Sequence, residues 1–245
     1  MFNWTVTVHL CDRLAAILSL STSRETVAPS RNKVLEMLLE KLTKMLRPYC
    51  QDCPAIQQLS GNFLKWARHS VAKGTLCSFS VVWKLHKGAN SRGVRSRPIA
   101  PNIGYTTGQI SQFLHCQLVD AVFKHQFVLK DSLSLIRQLE SIHVPENSEL
   151  LITSADIAAL YLSIDIEQGL AALDWFIKEH TTFPEHLRKF FLDLARFVLG
   201  NNYVECEGLE GPAIFLQKIG TAMGNNLFSN LCYDFHDLAG NTHNQ

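Results

Sequence analysis

The run Leu150-Leu-Ile-Thr-Ser-Ala-Asp156-Ile-Ala-Ala-Leu-Tyr161 decides how the chain is read. The apolar, partly β-branched stretch from Glu149 to Ala155 predicts a buried strand, and Asp156 ends it. A carboxylate at the C-terminal end of such a strand stands at the sheet edge while packed neighbours hold its backbone. That placement suits a hard cation such as magnesium, which takes oxygen ligands. Taken in isolation, an Asp at a strand end reads more simply as the cap of the following turn. Tyr161, taken alone, reads as a half-buried aromatic.

Working outward, helices and strands interleave. Downstream, Asp165 can cap a helix to His180, and Pro184 suits the first turn of a helix ending near Gly200. Tyr203–Cys206 and Ala213–Lys218 bracket Gly208-Leu-Glu-Gly-Pro212 as a hairpin, and Gly220-Thr-Ala-Met-Gly224 leads into a last helix from Asn226 to about Leu238. Upstream, Thr106 or Thr107 can cap a helix through about Phe123, and Asp131 or Ser132 another through Ile142. Phe79–Leu85 is β-prone and is followed by a glycine and polar loop, 88–93, and a second extended piece at Arg97-Pro98-Ile99. Together these predict a basic hairpin. Apolar residues at helical spacing predict a helix from Asn32 to Leu46, stopping before Pro48, and another from Pro54 to about His69. The expected class is α+β, with a helical segment over 1–75 ahead of a mixed domain over 76–245.

The composition fits a folded chain. At 245 residues, 47% apolar and 18% charged, the protein can bury a core without disulfides or metals, and it is neither a disordered tail nor a rod. The apolar runs are short, so no membrane span is expected, and no secretory signal is evident at the N-terminus. Seven cysteines, an odd number spread along the chain, fit a reducing, intracellular setting. The net charge of +1 conceals a segregation. Residues 1–52 hold seven Lys/Arg against five Asp/Glu, residues 53–130 ten against one, and residues 131–245 six against sixteen. No carboxylate occurs from Cys53 to Val119. If these segments fold as separate lobes, one face is basic and another acidic, as expected where phosphates are gripped on one side and cations on the other. Clustered but merely solvated charge is the competing reading.

Two further stretches carry chemistry. In Trp83-Lys84-Leu85-His86-Lys87, alternation puts Lys84 and His86 on one face of a strand, and Arg97 returns on its partner. Cations on a hairpin suit a triphosphate or a nucleic-acid backbone, Arg as a bidentate fork and Lys as a point charge. In Gln217-Lys-Ile-Gly220-Thr-Ala-Met-Gly224 the glycines allow a backbone to approach a base pair or phosphate closely, ahead of a helix N-terminus. It is not a P-loop, because no Gly-Lys-Ser/Thr follows. Cys50-Gln-Asp-Cys53 has metal-ligand spacing but no second Cys pair, and reads as two free thiols.

In their order and spacing the three stretches resemble the reverse transcriptase domain, most closely that of Penelope-like retroelements, over roughly residues 76–238. The resemblance implies the fingers and part of the palm of a right-hand polymerase. It makes Lys84, Lys87 and Arg97 contacts for template and incoming nucleotide. Asp156 then corresponds to the first palm carboxylate, a ligand of both magnesium ions, with the Ile157 carbonyl as a further ligand. Tyr161 corresponds to the aromatic gate that excludes a ribose 2′-hydroxyl, and Gln217, Gly220 and Gly224 to the segment that positions template and nascent base pair. The implied partners are an RNA template, a DNA primer and deoxynucleotide triphosphates. The implied reaction is in-line attack of a primer 3′-hydroxyl on the nucleotide α-phosphate, assisted by two Mg2+ ions.

One element of that family is not found. A Tyr/Phe-x-Asp-Asp turn does not occur, and the nearest string, Cys232-Tyr-Asp234-Phe-His-Asp237, falls where the resemblance places a helix. The chain ends at Gln245, ahead of where the carboxylate hairpin and thumb are expected, and a palm sheet without that hairpin is expected to have an unpaired edge. A nucleic-acid-binding remnant without polymerase activity is therefore carried as the alternative to the enzyme.

Overall fold

The structure, a computed structural model, describes residues 30–52, 63–83, 89–90, 93–94, 96–102, 104–124, 128–129, 131–145, 151, 153–154, 164–208, 211–225 and 227. Helices and a small amount of sheet pack together, an α+β arrangement.

Helix α1 (Arg31–Asp52) places Val34, Leu38, Leu42, Leu46 and Tyr49 along one buried stripe. It does not stop before Pro48 as its sequence predicts. Pro48 lies inside it on the exposed side, so its missing N–H and bulky ring do not disturb the packed face. The next residue supplies a reason to continue: Tyr49 is buried edge-on against Phe190, with ring centroids 5.1 Å apart, and its hydroxyl donates to the Asp193 carboxylate. Helix α2 (Phe63–Lys73) buries Phe63, Ala67 and Val71 and runs four residues past its expected end at His69; its expected start at Pro54 lies outside the described residues.

A hairpin follows. Strands β2 (Ser80–Trp83) and β5 (Ser96–Ile99) pair antiparallel, with Val82 opposite Arg97 and Val81 opposite Pro98. Pro98 is tolerated because this two-stranded ladder has free edges. Nearer the tip, β3 (Ala89–Asn90) pairs with β4 (Gly93–Val94). Just before the hairpin, β1 (Cys77–Ser78) runs parallel to β6 (Tyr203–Gly208), which pairs over six positions with β7 (Gly211–Leu216). The expected downstream hairpin is thus present, and β1 extends it to a three-stranded sheet.

The later helices begin where their caps predict. Helix α3 (Gly108–Lys124) starts with the Thr107 carbonyl accepting from the Ser111 N–H at 3.0 Å. Asp131 caps α4 (Ser132–Ser141), accepting from the Ser134 N–H at 2.8 Å, and Asp165 caps α5 (Ile166–His180), accepting from the Gln168 N–H at 2.9 Å. Helix α6 (Glu185–Gly200) follows Pro184 directly. Helix α4 differs from the others in burying none of its side chains, and Leu133, Leu135, Ile136 and Leu139 are exposed.

The predicted buried strand from Glu149 to Ala155 is not seen at the positions that are described. Leu151, Thr153 and Ser154 are exposed and in no strand, Leu151 retaining 85% of its accessible surface. β propensity alone does not hold a strand: Leu151, Thr153 and Ser154 carry it without forming one. The predicted final helix from Asn226 lies outside the described residues except for Leu227.

One core gathers residues from both sides of position 75. Val34, Leu38 and Leu42 of α1, Phe63 and Ala67 of α2, Leu114 and Leu118 of α3, and Phe190, Phe191 and Leu194 of α6 belong to a single buried cluster. Phe190 sits at its centre, 5.1 Å from the Tyr49 ring and 5.9 Å from that of Phe63. The basic and acidic segments of the chain therefore share a core instead of forming separate lobes with cores of their own. Phe190→Ala is expected to destabilise the fold by about 3–5 kcal/mol, measured by urea denaturation, and to speed amide exchange in α1 and α2. Leu133→Ala on the exposed face of α4 is expected to change stability by no more than about 0.5 kcal/mol.

Candidate nucleic-acid interface

The glycine-rich loop that follows β7 is built from the inside. Gln217 is buried, its side-chain oxygen accepting from the Asn202 Nδ2 and its Nε2 donating to the Ile219 carbonyl at 2.9 Å. Its backbone N–H donates to the Asn202 carbonyl, also at 2.9 Å. Gln217 thus shapes the loop, while Lys218 and Ile219 next to it are exposed.

Beyond that clamp the loop is sewn to two distant parts of the chain. Gly220 has φ 77° and donates its N–H to the Ile164 carbonyl at 2.9 Å. The Met223 N–H donates to the Ala100 carbonyl and its own carbonyl accepts from the Asn102 N–H, both at 2.9 Å. This is a parallel bridge to Pro101, just past the end of β5. Gly224 has φ 83° and turns the chain toward Asn225, whose side-chain oxygen accepts from the Ser111 hydroxyl and from the Leu227 N–H. Positive φ at both glycines is the backbone form that side-chain-bearing residues adopt at a penalty.

These bonds set the places of the predicted site residues. Gln217, Gly220 and Gly224 share the loop. Arg97 lies on β5, three residues before Ala100, or about 10 Å along an extended strand. Ile164, which receives the Gly220 bond, follows the Asp156–Tyr161 segment in the chain. Lys84, Lys87, Asp156, Ile157 and Tyr161 lie outside the described residues, as do Cys53, Asp234 and Asp237, and for Arg97 only the backbone is described.

Sequence reading missed the polar residues that anchor this arrangement. Tyr105 is buried; its hydroxyl donates to the Asn201 carbonyl and accepts from the Tyr203 N–H at 2.7 Å, tying the start of α3 to the turn after α6. Burial holds this phenol far above its ordinary value of 10.0. Asn201 further accepts from Lys41 Nζ at 3.0 Å and donates to the Phe197 carbonyl at 2.8 Å. The only signal in the sequence was the pair Asn201-Asn202 directly after a helix ending in Gly200, a pattern that reads as an ordinary helix stop. Near the loop, Asn202 Oδ1 and Thr221 Oγ1 are buried without a hydrogen-bond partner among the described residues. Such groups carry a desolvation penalty that a water or a ligand atom can relieve.

No three His, Cys, Asp or Glu side chains converge as a metal site among the described residues, to which Asp156 does not belong. No helix among them is long and apolar enough to cross a membrane.

Substituting Gly220 or Gly224 by Ala is expected to destabilise the protein by about 1–2 kcal/mol each, measured as a fall in thermal midpoint. Tyr105→Phe leaves a buried carbonyl and N–H without their partner and is expected to cost about 1–3 kcal/mol. The Tyr105 phenol also produces a pH dependence with a definite sign. Unfolded, it loses its proton near 10; folded, it keeps the proton to higher pH, so the folded state binds more protons and stability falls as pH rises above 10. Its share of that fall is about 1.4 kcal/mol per pH unit, and the alkaline limb of a stability–pH curve is expected to be shallower in Tyr105→Phe.

No protein-family model, curated protein or solved structure matches the chain, so its functional reading rests on these residues and their arrangement.

Proposed function

We propose that the chain is the fingers and part of the palm of an RNA-directed DNA polymerase of the kind found in Penelope-like retroelements. What carries the reading is the convergence of two separated stretches on one loop. The loop 217–224 is hydrogen-bonded to the exit of the hairpin at Ala100 and Asn102 and to Ile164 after the Asp156 segment. In a nucleotidyl transferase those are the parts that must meet: cations for phosphates, a carboxylate for metal, and a backbone that supports a base pair.

In this reading Lys84, Lys87 and Arg97 hold template and triphosphate oxygens, and Tyr161 blocks a 2′-hydroxyl. Gln217 acts from behind, keeping the loop in shape through Asn202, while Gly220 and Gly224 allow the backbone close to the nascent pair. Asp156 and the Ile157 carbonyl would hold magnesium, which supplies charge neutralisation at the transferred phosphoryl group when bound.

A specific observation favours the second reading, a nucleic-acid-binding remnant without catalysis. Leu151, Thr153 and Ser154, the described residues of the stretch before Asp156, are exposed and in no strand, whereas a catalytic carboxylate needs a packed strand to hold it. Primer extension on an RNA template with magnesium and deoxynucleotides separates the two. The polymerase predicts incorporation that Asp156→Ala abolishes and that Tyr161→Ala opens to ribonucleotides. Binding of an RNA–DNA duplex by a folded sample without incorporation would establish the remnant for this chain, and failure to bind would contradict both.

A further inference from the structure

Helices α1 and α2 face each other across an open groove of about 430 Å³, lined by Leu39, Glu40, Thr43, Lys44 and Arg47 from one wall and Arg68 from the other. Glu40, Lys44 and Arg47 are spaced i, i+4 and i+7, which aligns them along one stripe of α1. All three cations are exposed, and they face a single carboxylate. The walls are held rigidly from below, because Leu38, Leu42, Ala67 and Val71 on the inner faces of the two helices are fully buried. The helix backbones that carry these cations are fixed before an anion arrives, and binding has only the long Lys and Arg side chains left to order.

We propose that this groove binds the phosphodiester backbone of single-stranded nucleic acid. Arg47 and Arg68 come from opposite walls, and each offers a planar fork that can take two phosphate oxygens, while Lys44 adds a point charge and Thr43 a hydroxyl. The groove is open instead of enclosed, which suits a chain passing through it better than a small metabolite. Glu40 is the one group that opposes the ligand, and it marks an end of the cationic stripe. The groove lies within residues 39–68, outside the stretch that carries the polymerase resemblance, so this inference stands apart from the proposed activity.

The test is fluorescence anisotropy of a labelled single-stranded oligouridylate with the full chain, titrated at several salt concentrations, and with far-UV circular dichroism of each variant. The combined variant Lys44→Gln, Arg47→Gln and Arg68→Gln is expected to bind about tenfold more weakly or worse, with the log–log salt slope reduced by about 2. Glu40→Gln is expected to bind about twofold more tightly, a gain that misfolding does not produce. Lys84→Gln, Lys87→Gln and Arg97→Gln together leave the groove intact, so a loss confined to that variant would bear on the hairpin alone and overturn the groove. Unchanged affinity and salt slope in the groove variant would also overturn it. So would tighter binding to phosphatidylserine vesicles than to the oligonucleotide, lost in the same groove variant, since the phosphate would then belong to a lipid headgroup.

Discussion

Met223 is bonded through its backbone on both sides, to Ala100 and to Asn102, and the meeting of the loop with the hairpin depends on that bridge. It holds the loop 217–224 against the end of the β2–β5 hairpin at a point where the two are more than a hundred residues apart in sequence. The Gly220 bond to Ile164 adds the third segment, and Asn225 pins the far end of the loop to Ser111 on α3. None of these contacts is a large apolar surface. They are directional bonds, backbone to backbone except for the side-chain bond between Ser111 and Asn225, and their loss would leave desolvated donors and acceptors behind.

The loop can be held this way because its foundation is rigid. Gln217 and Asn202 clasp each other at the end of α6, and Tyr105 fastens the neighbouring Asn201 and Tyr203 to the start of α3. Helix α6 is in turn buried along most of its length, with Phe190 and Phe191 among rings from α1, α2, α3 and the segment before α6. Apolar burial therefore fixes the helices, and a thin layer of polar bonds transmits that order to the loop. The shared core also explains how segments of opposite net charge coexist: the charged side chains occupy the outer faces while the buried layer is almost wholly apolar.

Local signals in the sequence were legible wherever a side chain acts on its own backbone. Asp131 and Asp165 cap the helices they were expected to cap, and the Gly208–Pro212 turn joins the expected hairpin. The failures are non-local. Pro48 reads as a helix stop because propensity cannot register that Tyr49 has Phe190 and Asp193 to reach. The run before Asp156 has the composition of a buried strand, yet composition does not provide a neighbour, and its described residues are exposed. For the site, Gly220 and Gly224 were legible as turn glycines, whereas the roles of Tyr105, Ser111, Asn201 and Asn225 depend on partners far away in the chain. Gln217 was expected to help position template and nascent base pair; its side chain is buried and bonded to Asn202 and Ile219 within the protein.

The central claim is that the hairpin and the loop 217–224 form one nucleic-acid-binding surface. Photo-crosslinking of a primed RNA template carrying photoreactive bases, followed by mass-spectrometric assignment of the linked peptides, tests it most directly. The account predicts cross-links on both the hairpin between Ser80 and Ile99 and the loop between Gln217 and Gly224, in the same complex and competed by unlabelled duplex. Cross-links that avoid both segments would contradict it.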